Sequence, residues 1–125
     1  MANGTINILN WETDSNFSVT YNSSVVNTGA ASTNLYMNHE INKELKLIHL
    51  WGKVETKTAI EAWSGALFAQ INYYPATDMG MVWYNNNQSK SQNFALKNDG
   101  SITFNDANRI GGAVVFSYDF IFRYA

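Results

Sequence analysis

Residues 114–124 read Val-Val-Phe-Ser-Tyr-Asp-Phe-Ile-Phe-Arg-Tyr. Side chains alternate between the two faces of a β-strand, so one face of this segment carries a valine and five aromatic residues. The opposite face carries Val115 and Ile121 among three polar side chains. Two partly apolar faces indicate a strand that packs on both sides, against its own core and against a neighbouring subunit. A central strand in a monomeric sandwich has the same pattern, and the sequence leaves both interpretations open.

The composition is that of a globular protein. The 125 residues are 46% hydrophobic and 14% aromatic, which predicts one domain over residues 1–125 with a substantial core. The absence of cysteine excludes disulfides and Cys-based metal sites. A formal net charge of −2, with Lys and Arg spread singly, predicts no nucleic-acid partner. We expect a soluble protein without a signal peptide and without a membrane partner, because no segment has the required apolar length.

Several alternating segments predict further short strands. Seventeen Asn against one Pro favour tight turns, since the Asn side chain hydrogen-bonds nearby backbone and tolerates positive φ. Asn98-Asp99-Gly100 predicts a type I′ hairpin turn. The predicted class is an all-β antiparallel β-sandwich or jelly-roll-like fold. Its strands are Thr5–Trp11, Phe17–Tyr21, Leu45–Glu55, Met79–Tyr84, Phe94–Lys97 and Ser101–Phe104, with weaker signals at Ser23–Asn27 and Thr33–Tyr36.

Two segments also fit a helical period. Apolar residues recur at helical spacing in His39–Trp51 and in Ile60–Ile71, and periodicity alone leaves both assignments open. We interpret both as mainly extended because the rest of the chain is β, with a short helical turn near Glu61–Ser64. Gly52 inside the long strand predicts a bulge or a close backbone approach.

The sequence contains no familiar catalytic or cofactor-binding motif. Nucleophile elbows, zinc-protease motifs, phosphate-binding loops and dinucleotide fingerprints are all missing. His39 and His49 are not at a usual metal-binding spacing, so we predict no catalytic residue, no metal and no cofactor. The enzymatic alternative is a glycosidase, which needs two carboxylates across a cleft. Its candidate pairs are Glu12 with Asp14, and Glu55 with Glu61.

Aromatic residues interleaved with Asn, Gln and Ser point to carbohydrate binding. A flat ring covers the C–H face of a sugar, while amides and carboxylates hydrogen-bond its hydroxyls. Asp106 and Arg109, close together in a late loop, can hold sugar hydroxyls or a glycerol phosphate. The alternatives are a surface ion pair for these two and core positions for the aromatic residues. The candidate ligand residues are Trp51, Trp63, Tyr74, Trp83, Asn86, Asp106 and Arg109.

The order of the segments adds a resemblance. The relevant pieces are Asn10-Trp11, the strand Asn42–Val54 containing Gly52, the run Leu67–Ala76, the Asp99-Gly100 hairpin and Phe116-Ser117-Tyr118. Together they resemble the C-terminal head domain of receptor-binding proteins from phages of Gram-positive bacteria, from about Asn10 to Tyr124. The chain departs from that family's Leu-Pro-x-Gly-Tyr-Arg-Pro turn. Its first Pro and its Gly are absent, and Tyr74 replaces the Arg before Pro75.

The resemblance implies a function and an assembly. Such heads are homotrimers that bind cell-wall saccharides or teichoic acid substituents, often near the junction of two protomers. We therefore expect a host-recognition module that binds a bacterial surface glycan without cleaving it. Its expected location is the virion, at the phage tail tip or baseplate, with other tail or baseplate proteins as further partners. The alternatives are a glycan-degrading tail enzyme and a structural baseplate or capsid-decorating module without a ligand.

Overall fold

A computed structural model describes residues 10–125 of the chain. These residues form eight β-strands and no helix, which confirms the all-β prediction. No helical segment among them has the length and apolar character needed to cross a membrane. The strands are β1 Val19–Tyr21, β2 Tyr36–Asn42, β3 Leu47–Glu55, β4 Leu67–Ile71, β5 Met79–Asn85, β6 Lys90–Leu96, β7 Ser101–Phe104 and β8 Val115–Arg123.

The eight strands belong to one nearly closed antiparallel sheet in the order β1-β4-β7-β6-β5-β8-β3-β2. The segment before β1 links the two ends of the sheet. Glu12 pairs with Ile41 of β2 through reciprocal backbone hydrogen bonds of 3.0 and 2.7 Å. The backbone N–H of Ser18 then donates to Asn72 Oδ1 at 2.8 Å, just beyond β4. Residues 12–18 thus span the gap between the edge strands.

The aromatic row of the last strand forms part of the core. Phe116, Tyr118 and Phe122 of β8 are buried, and Trp83 of β5 stacks on Tyr118 with ring centroids 4.3 Å apart. The predicted inner face is therefore confirmed, but the curved sheet of one protomer is enough to cover it. On the outer face of β8, Ile121 is 52% exposed.

The predicted strands agree well with the structure where the apolar alternation is strong. Both ambiguous segments are mainly extended, but a turn at residues 43–46 divides the first into parts of β2 and β3. The turn at Glu61–Ser64 is not helical as predicted: the Ser64 N–H donates to Glu61 O at 3.3 Å, and Trp63 has a positive φ. The close approach at Gly52 is confirmed, because an added Cβ would lie 1.9 Å from the carbonyl oxygen of Tyr36. The two segments with weaker strand signals, Ser23–Asn27 and Thr33–Tyr36, are mostly turns, and the first contains an isolated bridge at Val26. Most of the predicted strand Thr5–Trp11 lies outside the described residues.

The Asp99-Gly100 hairpin is present, but its turn type was predicted wrongly. A type I′ turn requires positive φ at both central residues, whereas Gly100 has a φ of +87° and Asp99 is not in that region. The Gly100 N–H donates to Lys97 O at 2.9 Å, and the Lys97 N–H donates to Ser101 O at 2.8 Å. Residues 98–100 are therefore a three-residue hairpin loop that ends on a left-handed glycine.

Candidate ligand-binding grooves

The seven predicted ligand residues do not form one site. Trp63 and Trp51 line two different grooves, and Tyr74 lies exposed in the loop after β4. Asn86, in the turn after β5, has an exposed side chain, but its Nδ2 already donates to Ser117 Oγ at 2.7 Å. The remaining three predicted residues do not face a groove as expected: Trp83 and Asp106 are buried, and Arg109 forms an ion pair with Glu61.

Trp83 is a core residue, which corrects its assignment to the ligand surface. Its side chain is 2% exposed and lies between Phe94 and Tyr118, with both ring centroids 4.3 Å away. Phe68 adds an edge-to-face contact at 6.3 Å. A ligand cannot reach this indole in the folded protein, because the alternation of β5 points residue 83 inward and Val82 outward.

Asp106 and Arg109 do not act as the predicted pair. Arg109 instead contacts the exposed carboxylate of Glu61 at 3.2 Å. Asp106 is 5% exposed, and its carboxylate accepts 3.0 Å hydrogen bonds from Gln92 Nε2 and from the backbone N–H groups of Asn93 and Asn108. Burial by itself would raise the pKa of Asp106, but these hydrogen bonds outweigh it and hold the pKa below its usual value.

The Trp63 groove is an open candidate site that contains an exposed indole. It has a volume of about 660 Å³ and crosses the outer face of β5 and β6. Trp63 is 66% exposed and has a φ of +54°, a conformation that is uncommon for a large side chain and that costs energy. Such conformations concentrate at functional sites. The groove is lined by Trp63, Gly80, Met81, Val82, Asn93, Phe94, Ala95, Lys97 and Asn105.

Buried Asp106 holds two walls of the Trp63 groove in place. Its backbone oxygen accepts a 2.9 Å hydrogen bond from the Trp63 N–H, while its carboxylate accepts from the Asn93 N–H at 3.0 Å. The Gly65 N–H donates to Phe104 O at 3.1 Å and fixes the other end of the same turn. Asp106 thus positions the backbone of Trp63, although Asp106 itself does not line the groove.

The groove offers an apolar surface beside polar side chains. The exposed indole of Trp63 gives a flat face, and the exposed side chain of Asn93 supplies an amide with both donor and acceptor. Asn105 Nδ2 donates to Thr103 Oγ1 at 2.8 Å, an intramolecular contact that orients its amide. Sequence reasoning missed both Asn residues. The predicted strand began at Phe94 and so left out Asn93, and no local pattern indicated that Trp63 lines the same groove as these residues.

The Trp51 groove lies at the β2–β3 side of the sheet. It has a volume of about 410 Å³, and its walls include Trp11, Trp51 and Glu40. Next to it, His49 Nδ1 lies 3.1 Å from Glu40 Oε1, and His49 Nε2 lies 2.6 Å from Asp119 Oδ1. Burial lowers the pKa of His49, but hydrogen bonds to these two carboxylates outweigh it, and the pKa is raised. This carboxylate–imidazole–carboxylate row crosses β2, β3 and β8.

The first carboxylate pair of the enzymatic alternative is divided between two contacts. Glu12 forms an exposed ion pair with Lys43 at 3.4 Å. Asp14 accepts a short hydrogen bond from the Tyr73 hydroxyl, which lowers the pKa of Asp14 and raises that of Tyr73 to about 12. A lowered pKa suits an ionised carboxylate and not a general acid, which needs a raised one.

The second carboxylate pair also has other partners. Glu55 accepts hydrogen bonds from Asn27 Nδ2 at 2.8 Å and from Asn34 Nδ2 at 3.3 Å. Glu61 contacts Arg109, as described above. Within residues 10–125, no group of three or more His, Asp or Glu side chains is arranged to hold a metal ion.

Comparison with known proteins adds no relative to this description. No protein-family model matches the chain, and no curated protein matches it.

Proposed function

We propose that this protein is a host-recognition module of a phage tail and that it binds a bacterial cell-wall saccharide or teichoic acid at the Trp63 groove. The phage context rests on the order of segments between Asn10 and Tyr124 that resembles the receptor-binding heads. The choice of ligand class rests on the groove, where an exposed indole lies beside amide side chains.

The exposed indole of Trp63 is the observation that carries the proposal. A sugar ring that covers one face of an indole removes on the order of 80 Å² of apolar surface from water, which is worth about 2 kcal/mol. The backbone hydrogen bond from Trp63 to Asp106 fixes the main chain that carries the ring, so binding does not have to order this turn. The amides of Asn93 and Asn105 then provide the directional contacts that distinguish one saccharide from another.

Binding without cleavage fits the composition of the Trp63 groove. Glycoside hydrolysis requires two carboxyl groups on either side of the scissile bond. Among the described residues that line the groove, none is Asp or Glu, and its one charged residue is Lys97. The Lys97 ammonium lies 3.8 Å from Asp78 Oδ2, in an exposed ion pair that leaves it accessible to a ligand.

We further propose a homotrimer located at the tail tip or baseplate. Val82, which lines the Trp63 groove, and Tyr84 are exposed on the outer face of β5, which is the neighbour of β8 in the sheet. A subunit contact there would remove this apolar patch from water and would lie beside the Trp63 groove. Light scattering at micromolar concentration should give the mass of three chains, and Tyr84→Glu should dissociate them. A stable monomer for the unmodified chain would contradict the trimer.

The binding proposal is tested with purified wall polysaccharide from Gram-positive bacteria and isothermal titration of the full chain. Trp63→Ala should weaken binding about 30-fold, corresponding to the 2 kcal/mol above, while Trp63→Phe should retain most of it. Tyr74→Ala is the matched control, because it removes an exposed aromatic side chain that does not line the groove. Circular dichroism should show the same fold for all variants, since Trp63 contributes little to the core.

Three results would contradict this function. Equal binding by the unmodified protein and Trp63→Ala would place any saccharide site elsewhere. Release of reducing ends from the polysaccharide would identify a glycan-degrading enzyme. A failure of every wall polysaccharide to bind the folded protein would favour the structural module without a ligand.

A further inference from the structure

We propose that a second groove, at the end of β8, binds a small amphipathic anion: a phosphate or carboxylate carried on an aliphatic group. This Arg123 groove has a volume of about 510 Å³ and is lined by residues that include Lys46, Pro75, Met79, Ile121 and Arg123. It is separate from the Trp63 groove, with which it shares no lining residue. The inference does not depend on saccharide binding.

The two cationic residues are held at the same end of the sheet. Arg123 is the last residue of β8, and it lies opposite Leu47, the first residue of β3. Lys46 immediately precedes Leu47 and has a φ of +55°, which is unusual for lysine. Its carbonyl oxygen accepts a 2.9 Å hydrogen bond from the Tyr124 N–H, so the Lys46 turn is fastened to the chain beyond β8.

The two cationic side chains of this groove form no ion pair with the described residues. Neither Lys46 nor Arg123 has a carboxylate within 4.0 Å among residues 10–125. The neighbouring carboxylates have other partners: Asp78 contacts Lys97 and accepts from the Asn98 N–H at 2.8 Å, and Asp119 contacts His49. Lys53, Lys57 and Lys90 are likewise outside these ion pairs, but of the five cations only Lys46 and Arg123 line the Arg123 groove.

The lining of the groove defines the chemistry of the ligand. An Arg guanidinium binds a carboxylate or phosphate through two parallel hydrogen bonds, and Lys adds a mobile point charge. Ile121 is 52% exposed beside these cations, and Pro75 and Met79 extend the apolar wall. Burial of an aliphatic group on this wall contributes about 0.8 kcal/mol for each CH₂ that leaves water. An anion with an alkyl group therefore fits better than an inorganic anion or a neutral sugar.

The test is isothermal titration of the full chain with hexyl phosphate and hexanoate, with inorganic phosphate and hexanol as probes of the separate parts. We expect saturable binding of at least one hexyl anion and at least tenfold weaker binding of inorganic phosphate and of hexanol. Lys46→Gln combined with Arg123→Gln should weaken hexyl-anion binding at least tenfold. The matched control is Lys53→Gln combined with Lys57→Gln, which removes the same charge outside the groove and should leave binding unchanged.

The two hexyl anions also identify the head group. Stronger binding of hexyl phosphate assigns a phosphate ligand, and stronger binding of hexanoate assigns a carboxylate. Ile121→Ser should weaken the hexyl anions without changing the weak binding of inorganic phosphate. The proposal is overturned if neither hexyl anion binds the folded protein at millimolar concentration, or if the control variant loses as much affinity as the groove variant.

Discussion

Replacing Asp106 with asparagine should destabilise the protein and loosen the Trp63 groove at the same time. The Asp106 carboxylate is buried, with one oxygen accepting from the Asn93 N–H and the other accepting from Gln92 Nε2 and the Asn108 N–H. Asparagine keeps the shape, but its NH₂ group replaces one acceptor and faces a donor. At least one buried donor is then left without a partner.

The expected size follows from these contacts. Hydrogen bonds to a charged group contribute about 1.5–3 kcal/mol, and a buried donor without a partner costs about 1–3 kcal/mol. We expect Asp106→Asn to lower the free energy of unfolding by about 2–3 kcal/mol, because whichever oxygen the NH₂ group replaces, it faces a backbone N–H that cannot turn away. With a urea slope of about 2 kcal/mol/M, the unfolding midpoint falls by roughly 1–1.5 M.

Urea denaturation followed by circular dichroism measures this change. Glu44→Gln is the control, because it removes one negative charge from an exposed residue and should shift the midpoint very little. The pKa of Asp106 is lower in the folded state than in the unfolded state, where it is about 3.9. The contribution of the ionised carboxylate to folding stability is therefore complete above the unfolded pKa and is lost as the pH falls through the folded pKa. A midpoint for Asp106→Asn within 0.2 M of the unmodified protein would refute the reasoning.

Two further substitutions and one titration test the fold and the contacts of His49 with Glu40 and Asp119. Gly100→Val should cost at least about 2 kcal/mol in urea denaturation, because its Cβ would lie 2.1 Å from Ile71 O at a positive φ, whereas Gly111→Ala, with open space, should be nearly silent. Trp83→Ala should cost about 3–5 kcal/mol or abolish folding, and a folded, equally stable variant would show that the indole is not core. The pKa of His49 is raised in the folded state, so its contribution to stability is full below the unfolded pKa of about 6.5 and is lost as the pH rises through the folded value. NMR titration of the imidazole should give a pKa above 6.5, and a lower value would contradict the two carboxylate contacts.

Local patterns in the sequence determined the strands and much of the core. The period of two in residues 114–124 predicted which side chains of β8 face inward, because strand geometry itself imposes that alternation. The same rule identified β3 and β5, and the Asn-Asp-Gly segment located a hairpin even though its turn type differed. Gly52 marked a close approach, since a side chain has no room there.

Only the tertiary structure decided which aromatic and charged residues can meet a ligand. Trp63 and Trp83 have the same side chain, but one is exposed over a groove and the other is stacked in the core. The exposure of Trp63 depends on its left-handed backbone conformation, in a turn where its N–H donates to the carbonyl oxygen of Asp106, far along the chain. Arg109 similarly contacts Glu61, 48 positions away, and not the carboxylate of Asp106, which is near it in the sequence. Contacts between distant segments form when the sheet curves and nearly closes, and local alternation carries no information about that step.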